Sequence, residues 1–141
     1  MKLHIHETGA SGDPAILFLH GSPLSGRMWQ PQFERLKEFH CLAPDLPGHG
    51  QSADVVPLAV RDTVQYLADV IRERIPNGKA HVVGLSFGGV IAQALMVTAP
   101  ETVDHVILSG TSTRMSRFLV AVQRLNEAYR EKKHALTERL V

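Results

Sequence analysis

The stretch Ala80 to Val97, AHVVGLSFGGVIAQALMV, constrains the fold more than any other part of this chain. It opens on a short apolar run, His81-Val82-Val83, that reads as a buried strand. It closes on Val90, Ile91, Ala94, Leu95 and Val97, which fall on one side of a helix. Between them lie Gly84-Leu85-Ser86-Phe87-Gly88 and a third glycine, Gly89. A chain that leaves a strand and enters a helix within one residue turns sharply. The apex residue is driven toward positive φ, which costs energy for any residue but glycine. Glycines two before and two after the apex remove side chains that would collide there. The expected result is a Ser86 hydroxyl held clear of the backbone at the mouth of a sheet, over a helix N-terminus.

The bare pattern would arise by chance in roughly one chain in twenty of this length. A glycine-rich turn with a surface serine is the plain alternative, and the flanking strand and helix weigh against it. With those flanks, the segment resembles the G-x-S-x-G nucleophile elbow of the alpha/beta-hydrolase family. A second match follows the unbroken apolar run Ala15-Ile16-Leu17-Phe18-Leu19, which suits a strand buried on both faces. That run leads into His20-Gly21-Ser22-Pro23, similar to the family's His-Gly-x-Pro segment. The resemblance implies an oxyanion hole made by the N–H groups of Ser22 and Phe87. Two preorganised donors of this kind supply several kcal/mol of transition-state stabilisation. It also implies that His20 is a structural, hydrogen-bonded residue below the hole rather than the base. A third match, Pro44-Asp45-Leu46-Pro47-Gly48-His49-Gly50-Gln51-Ser52, resembles the family's D-x-x-G-x-G-x-S loop. In that pattern Asp45 is not the catalytic acid; Asp45 and Ser52 brace a tight loop.

The remaining segments supply the frame. Lys2 to Glu7 alternates, with Leu3 and Ile5 on one face and His4 and His6 on the other, which predicts a half-exposed edge strand. The paired histidines have no Cys, Asp or third His at ligand spacing nearby, so they read as solvent-facing strand residues and no metal is expected. Trp29, Phe33 and Leu36 predict a helix over Met28 to Phe39, with Pro31 in its first turn. His40 to Ala43 reads as a strand. Val60, Val64, Leu67, Ala68, Ile71 and Ile75 predict a helix over Leu58 to Ile75, stopped by Pro76-Asn77-Gly78. Val103 to Leu108 is a last strand. Repeated strand-helix units predict an α/β fold, a mostly parallel sheet with helices on both faces. If the family topology holds, the strands ending at His20 and Leu85 are neighbours, and the site lies at the switch point beyond their carboxyl ends.

A net charge of +1 on 141 residues gives no electrostatic case for nucleic acid or an anionic membrane. No apolar run approaches the length of a membrane span. The single cysteine, Cys41, excludes an internal disulfide and reads as a buried strand residue. No signal peptide is visible at the start, and a cytoplasmic setting is expected. Beyond Gly110, Phe118, Val122, Leu125, Tyr129, Leu136 and Leu140 line one helical stripe. The resemblance implies a hydrolase core over residues 1–113 and the start of a helical lid over 114–141.

The family order is Ser, then Asp or Glu, then His. After Ser86 the histidines are His105, near the start of a strand and so at the far end of the sheet, and His134, in the charged helix. Neither sits where the family base belongs. No acid after Ser86 (Glu101, Asp104, Glu127, Glu131, Glu138) matches the family acid. Five strands are expected where the family has about eight, so the fold reads as an incomplete alpha/beta-hydrolase fold in a truncated chain. The resemblance implies a serine hydrolase acting on a small-molecule carboxylic ester, lactone or amide through a Ser86 acyl-enzyme, with acid and base absent. No cofactor is implied. An acyltransferase or perhydrolase would use the same site, and a non-catalytic interaction module would keep the fold without the chemistry. A serine apex argues against the aspartate-nucleophile dehalogenase and epoxide-hydrolase branches. Self-association through the uncovered edge of the strand Val103 to Leu108 is expected of the chain, unless the helix from Phe118 to Leu140 folds back over that edge.

Overall fold

The structure, a computed structural model, describes residues 2–56 and 59–112. Five strands, β1 (Ile5–Thr8), β2 (Ala15–Leu19), β3 (His40–Pro44), β4 (Ala80–Leu85) and β5 (Val103–Ser109), interleave with three helices, α1 (Gln30–Phe33), α2 (Val60–Arg74) and α3 (Phe87–Thr98). The strands form one sheet in the order β1-β3-β2-β4-β5. β1 runs antiparallel to β3, and every other pair is parallel. β2 and β4 are therefore the neighbours that the motifs require. From β2 the chain moves outward to β3, and from β4 it moves the other way to β5, which creates the switch point between them.

The core lies on both faces, and strand alternation divides it. Leu17, Leu19, Leu42 and Val82 join Val64, Leu67 and Ile71 of α2 and Ile91 and Leu95 of α3. On the opposite face Ile16, Phe18, Cys41 and Ala43 pack with Trp29 and Phe33. All five residues of β2 are buried, as its unbroken apolar run predicts. Fully buried leucines of this kind contribute about 1.5–3 kcal/mol each relative to exposure. Burial also pushes the Cys41 thiol above its ordinary pKa, so it is packing rather than a nucleophile.

The helix predicted over Met28 to Phe39 does not form as one element. Gly26–Trp29 is a 3-10 turn, and α1 is one turn long. Past it, the Arg35 N–H donates to the Gln32 carbonyl, three residues back, and Phe39 to Leu36 in the same way, so the chain tightens into turns before β3. Trp29 and Phe33 are buried all the same, because turns can present this spacing to the sheet as well as a helix can. α2 begins at Val60 with that side chain exposed, and ends at Arg74, with Ile75 extended. Pro57 and Leu58 lie outside the described residues, as does the predicted lid from Arg114 to Val141. No described helix is long and apolar enough to cross a membrane.

Candidate active site

Ser86 joins β4 to α3 at φ 51° and ψ −112°, the one non-glycine residue with positive φ among the described residues. Its N–H donates to the Ser109 carbonyl at 2.9 Å, at the carboxyl end of β5. Its carbonyl accepts the N–H groups of Gly89 at 3.0 Å and Val90 at 3.3 Å and so opens the helix. The glycines make this turn sterically allowed. A Cβ on Gly88 would stand 2.2 Å from the Leu19 carbonyl oxygen, and one on Gly84 would stand 2.7 Å from the Gly89 Cα. Ser86 is exposed, and no described side chain hydrogen-bonds its hydroxyl.

The His-Gly-x-Pro segment comes to the same place. A Cβ on Gly21 would lie 3.3 Å from the Ser86 Cβ, so the backbone ahead of Ser22 packs directly against the apex. The Leu24 N–H closes a turn onto the Gly21 carbonyl at 2.8 Å, and the Ser22–Pro23 bond within it is cis. Phe87 follows the apex, and its N–H, as the first of α3, has no acceptor within the helix. The apex thus stands between Gly21-Ser22 on one side and Phe87 on the other.

His20 is fully buried beneath this turn. Its Nδ1 donates to the Gly21 carbonyl at 3.0 Å, and its Nε2 accepts the Leu46 N–H at 2.9 Å. Burial lowers its pKa, against the pull of the Gly21 bond and with help from His49. A ring whose two nitrogens are both occupied, one donating and one accepting, ties the turn to the loop after β3. Asp45 braces the neighbouring loop: its carboxylate accepts the N–H groups of Gly26 and Gln51, both at 2.7 Å, and approaches His6 Nε2 at 3.2 Å. Burial alone would raise the Asp45 pKa, but those two amides and His6 outweigh it and hold the carboxyl below its ordinary value. Ser52 Oγ accepts the His4 N–H at 2.9 Å.

Sequence reasoning missed His49. Its Nδ1 donates to the Pro47 carbonyl at 2.9 Å, which leaves Nε2 to accept the Ser22 hydroxyl at 3.0 Å. The loop of the third motif thereby holds the residue of the second by its side chain. The His49 position inside Gly48-His49-Gly50 was visible in sequence, but its partner was 27 residues away. The fold also gives His4 and His6 the Asp45 that their local sequence lacks. Those carboxylate oxygens are already engaged by backbone amides, so the group is a brace rather than an open ligand set. His105 lies four residues before Ser109, about 13 Å along the strand from the apex.

The family model for the alpha/beta hydrolase fold matches residues 14–139. An AB hydrolase superfamily protein of Gibberella zeae is 43% identical over 101 residues, 70% of this chain and 36% of that protein. A pimeloyl-[acyl-carrier protein] methyl ester esterase of Nitrosomonas europaea is 36% identical over 112 residues, 79% of this chain and 42% of that one. Among solved structures, a hydrolase from Pseudomonas aeruginosa superposes with a TM-score of 0.76 at 25% identity, covering 89% of this chain and 48% of that one. The chain spans less than half the length of each of these relatives.

Proposed function

Because the chain belongs to the alpha/beta-hydrolase fold family, we propose that it carries the nucleophile half of a serine hydrolase, with Ser86 as the attacking residue. The observation that carries this reading is the Ser86 backbone, held at positive φ among glycines that admit no side chain. Backbone strain of about 1–3 kcal/mol at a polar, exposed apex is what an elbow stores to present its nucleophile. The substrate class is a carboxylic ester, lactone or amide, in line with the esterase and hydrolase relatives. Ser86 Oγ attacks the acyl carbonyl while the amides of Ser22 and Phe87 receive the developing oxyanion. His49, through the Ser22 hydroxyl, positions the loop that carries the first of these amides. Water then cleaves the acyl-enzyme with a base and an acid that are not among the described residues.

An acyltransferase or perhydrolase would share every one of these features. The non-catalytic reading draws on one observation, that no described histidine reaches Ser86. The test is hydrolysis of a short p-nitrophenyl ester when the acid-and-base half is supplied in cis or in trans. Ser86→Ala should remove the activity. Turnover within a few-fold of the unchanged protein would refute Ser86 as nucleophile. In the chain by itself, Ser86 should behave as an ordinary alcohol and label slowly with a fluorophosphonate. β5 pairs with β4 alone among the described strands and exposes Ile107 and Leu108, which supports self-association along that edge. Size-exclusion chromatography with light scattering tests it, and a monomer would refute it.

A further inference from the structure

At the other end of β4 and β5 the pairing register breaks. Ala80 pairs with Val103 and Val82 with Val106, so His81 alone faces both Asp104 and His105. Such a bulge redirects side chains. Val103 and Val106 both pack into the core shared by α2 and α3, an odd spacing that strict alternation forbids. The bulge reconciles the two, and in doing so it brings Asp104 and His105 together beside His81. His81 has the same strand parity as Val83 and Leu85, which pack on the opposite face.

The three side chains converge on a carboxylate oxygen. His81 Nδ1 stands 3.4 Å and His105 Nδ1 3.3 Å from the same Asp104 Oδ2, and the three ligand atoms all lie within 4.8 Å of one another. These separations are long for N–H···O hydrogen bonds. They match the edge of a coordination tetrahedron, since ligands about 2.0–2.1 Å from a metal stand about 3.3 Å apart. The two imidazole rings are 5.2 Å apart at an interplanar angle of 48°, and each brings its Nδ1 near Asp104 Oδ2. Unlike Asp45, Asp104 gives neither oxygen to a backbone amide among the described bonds, and it is 48% exposed.

We propose that His81, Asp104 and His105 bind a first-row divalent transition cation such as zinc or nickel. Two imidazoles and one carboxylate are the donor set for such a metal, and the exposed side leaves positions for water. The bound ion cross-links β4 to β5 at the end of the sheet opposite Ser86.

Calorimetric titration of the 141-residue chain with zinc chloride, repeated with nickel, tests this. The chain has eight histidines, so the assignment rests on variants. One site per chain of micromolar affinity is expected. Loss of even an outer-sphere partner weakens metal sites by about 10–100-fold, so His105→Ala and Asp104→Asn should each weaken binding at least about tenfold. His4→Gln should leave it unchanged. His105 is 78% exposed, so its replacement leaves folding intact, which circular dichroism verifies. Undiminished affinity in either His105→Ala or Asp104→Asn, loss of binding in His4→Gln, or no zinc binding at all would overturn the proposal.

Discussion

At the carboxyl end of β4 and β5, around Ser86, backbone lies against backbone so closely that glycine is the residue that fits at Gly84 and Gly88. At the amino end of the same two strands, His81, Asp104 and His105 stand partly or largely in solvent, opposite an irregular register. One pair of strands thus holds a strained, over-determined turn at one end and a loose, polar cluster at the other. Strain at Ser86 persists because its neighbours leave it no relaxed alternative: the β5 terminus takes its N–H, and the first turn of α3 takes its carbonyl. The bulge needs no such support, since it places polar side chains where water can reach them.

The sharpest way to break this contrast is Gly88→Val. Its side chain would overlap the Leu19 backbone, and β2 is buried on both faces and cannot withdraw. A loss of about 3 kcal/mol or more in urea unfolding is expected. A loss below about 1 kcal/mol would mean that the elbow end is as tolerant as the other.

Acid should act on the same end. The His20 pKa is lowered from 6.5, so below that value the unfolded chain binds a proton that the folded chain refuses. Stability should therefore fall as pH drops through about 6.5 and continue falling until the lower folded value is passed. Asp45 adds a second loss of the same direction: its contribution is complete above 3.8 and disappears as pH falls through its lower folded pKa. Urea midpoints between about pH 8 and about pH 5 should show the first decline, and His20→Gln should flatten it. An equal slope in the variant would place the acid-sensitive group elsewhere.

A smaller effect should have the opposite sign. Ser86→Gly releases the positive-φ strain while giving the unfolded chain more freedom, for a net gain of about 1 kcal/mol. The proposed chemistry would be lost in the same protein. A destabilised Ser86→Gly would show that the apex is not strained. At the far end, His105→Ala without metal should change stability by less than about 0.5 kcal/mol. A larger loss would make the cluster structural and erase the contrast.

Much of the elbow end was legible because its signals are local. Gly84, Ser86 and Gly88 act on one another within five residues, and the strand and helix beside them have clear periods. That β2 and β4 are neighbours came from the resemblance rather than from any local pattern. What escaped is set by tertiary register. The Ser22–His49 bond joins two loops, the bulge opposite His81 depends on how β5 slides along β4, and Asp45 reaches His6 across 39 residues. The spacing of Val103 and Val106 held a trace of the bulge, since two core-facing residues three apart do not fit a regular strand. The turn after Trp29 was misread because apolar spacing alone does not separate a helix from successive 3-10 turns.

The pairing of β2 with β4 also sets how the chain can reach this state. Ile16 pairs with His81 and Leu19 with Gly84, so the central ladder joins segments about 65 residues apart in the chain. Loop-closure entropy must be met before that ladder returns any energy, and long-range parallel pairing is slow for this reason. Local pieces such as α2 can form early, whereas the elbow is finished when β4 docks, because Gly88 needs Leu19 in place to define its confined position. Mutations at this contact should therefore speed unfolding more than they slow folding. The backbone geometry of Ser86, at the carboxyl end of β4, therefore depends on the pairing of segments that are distant in the chain.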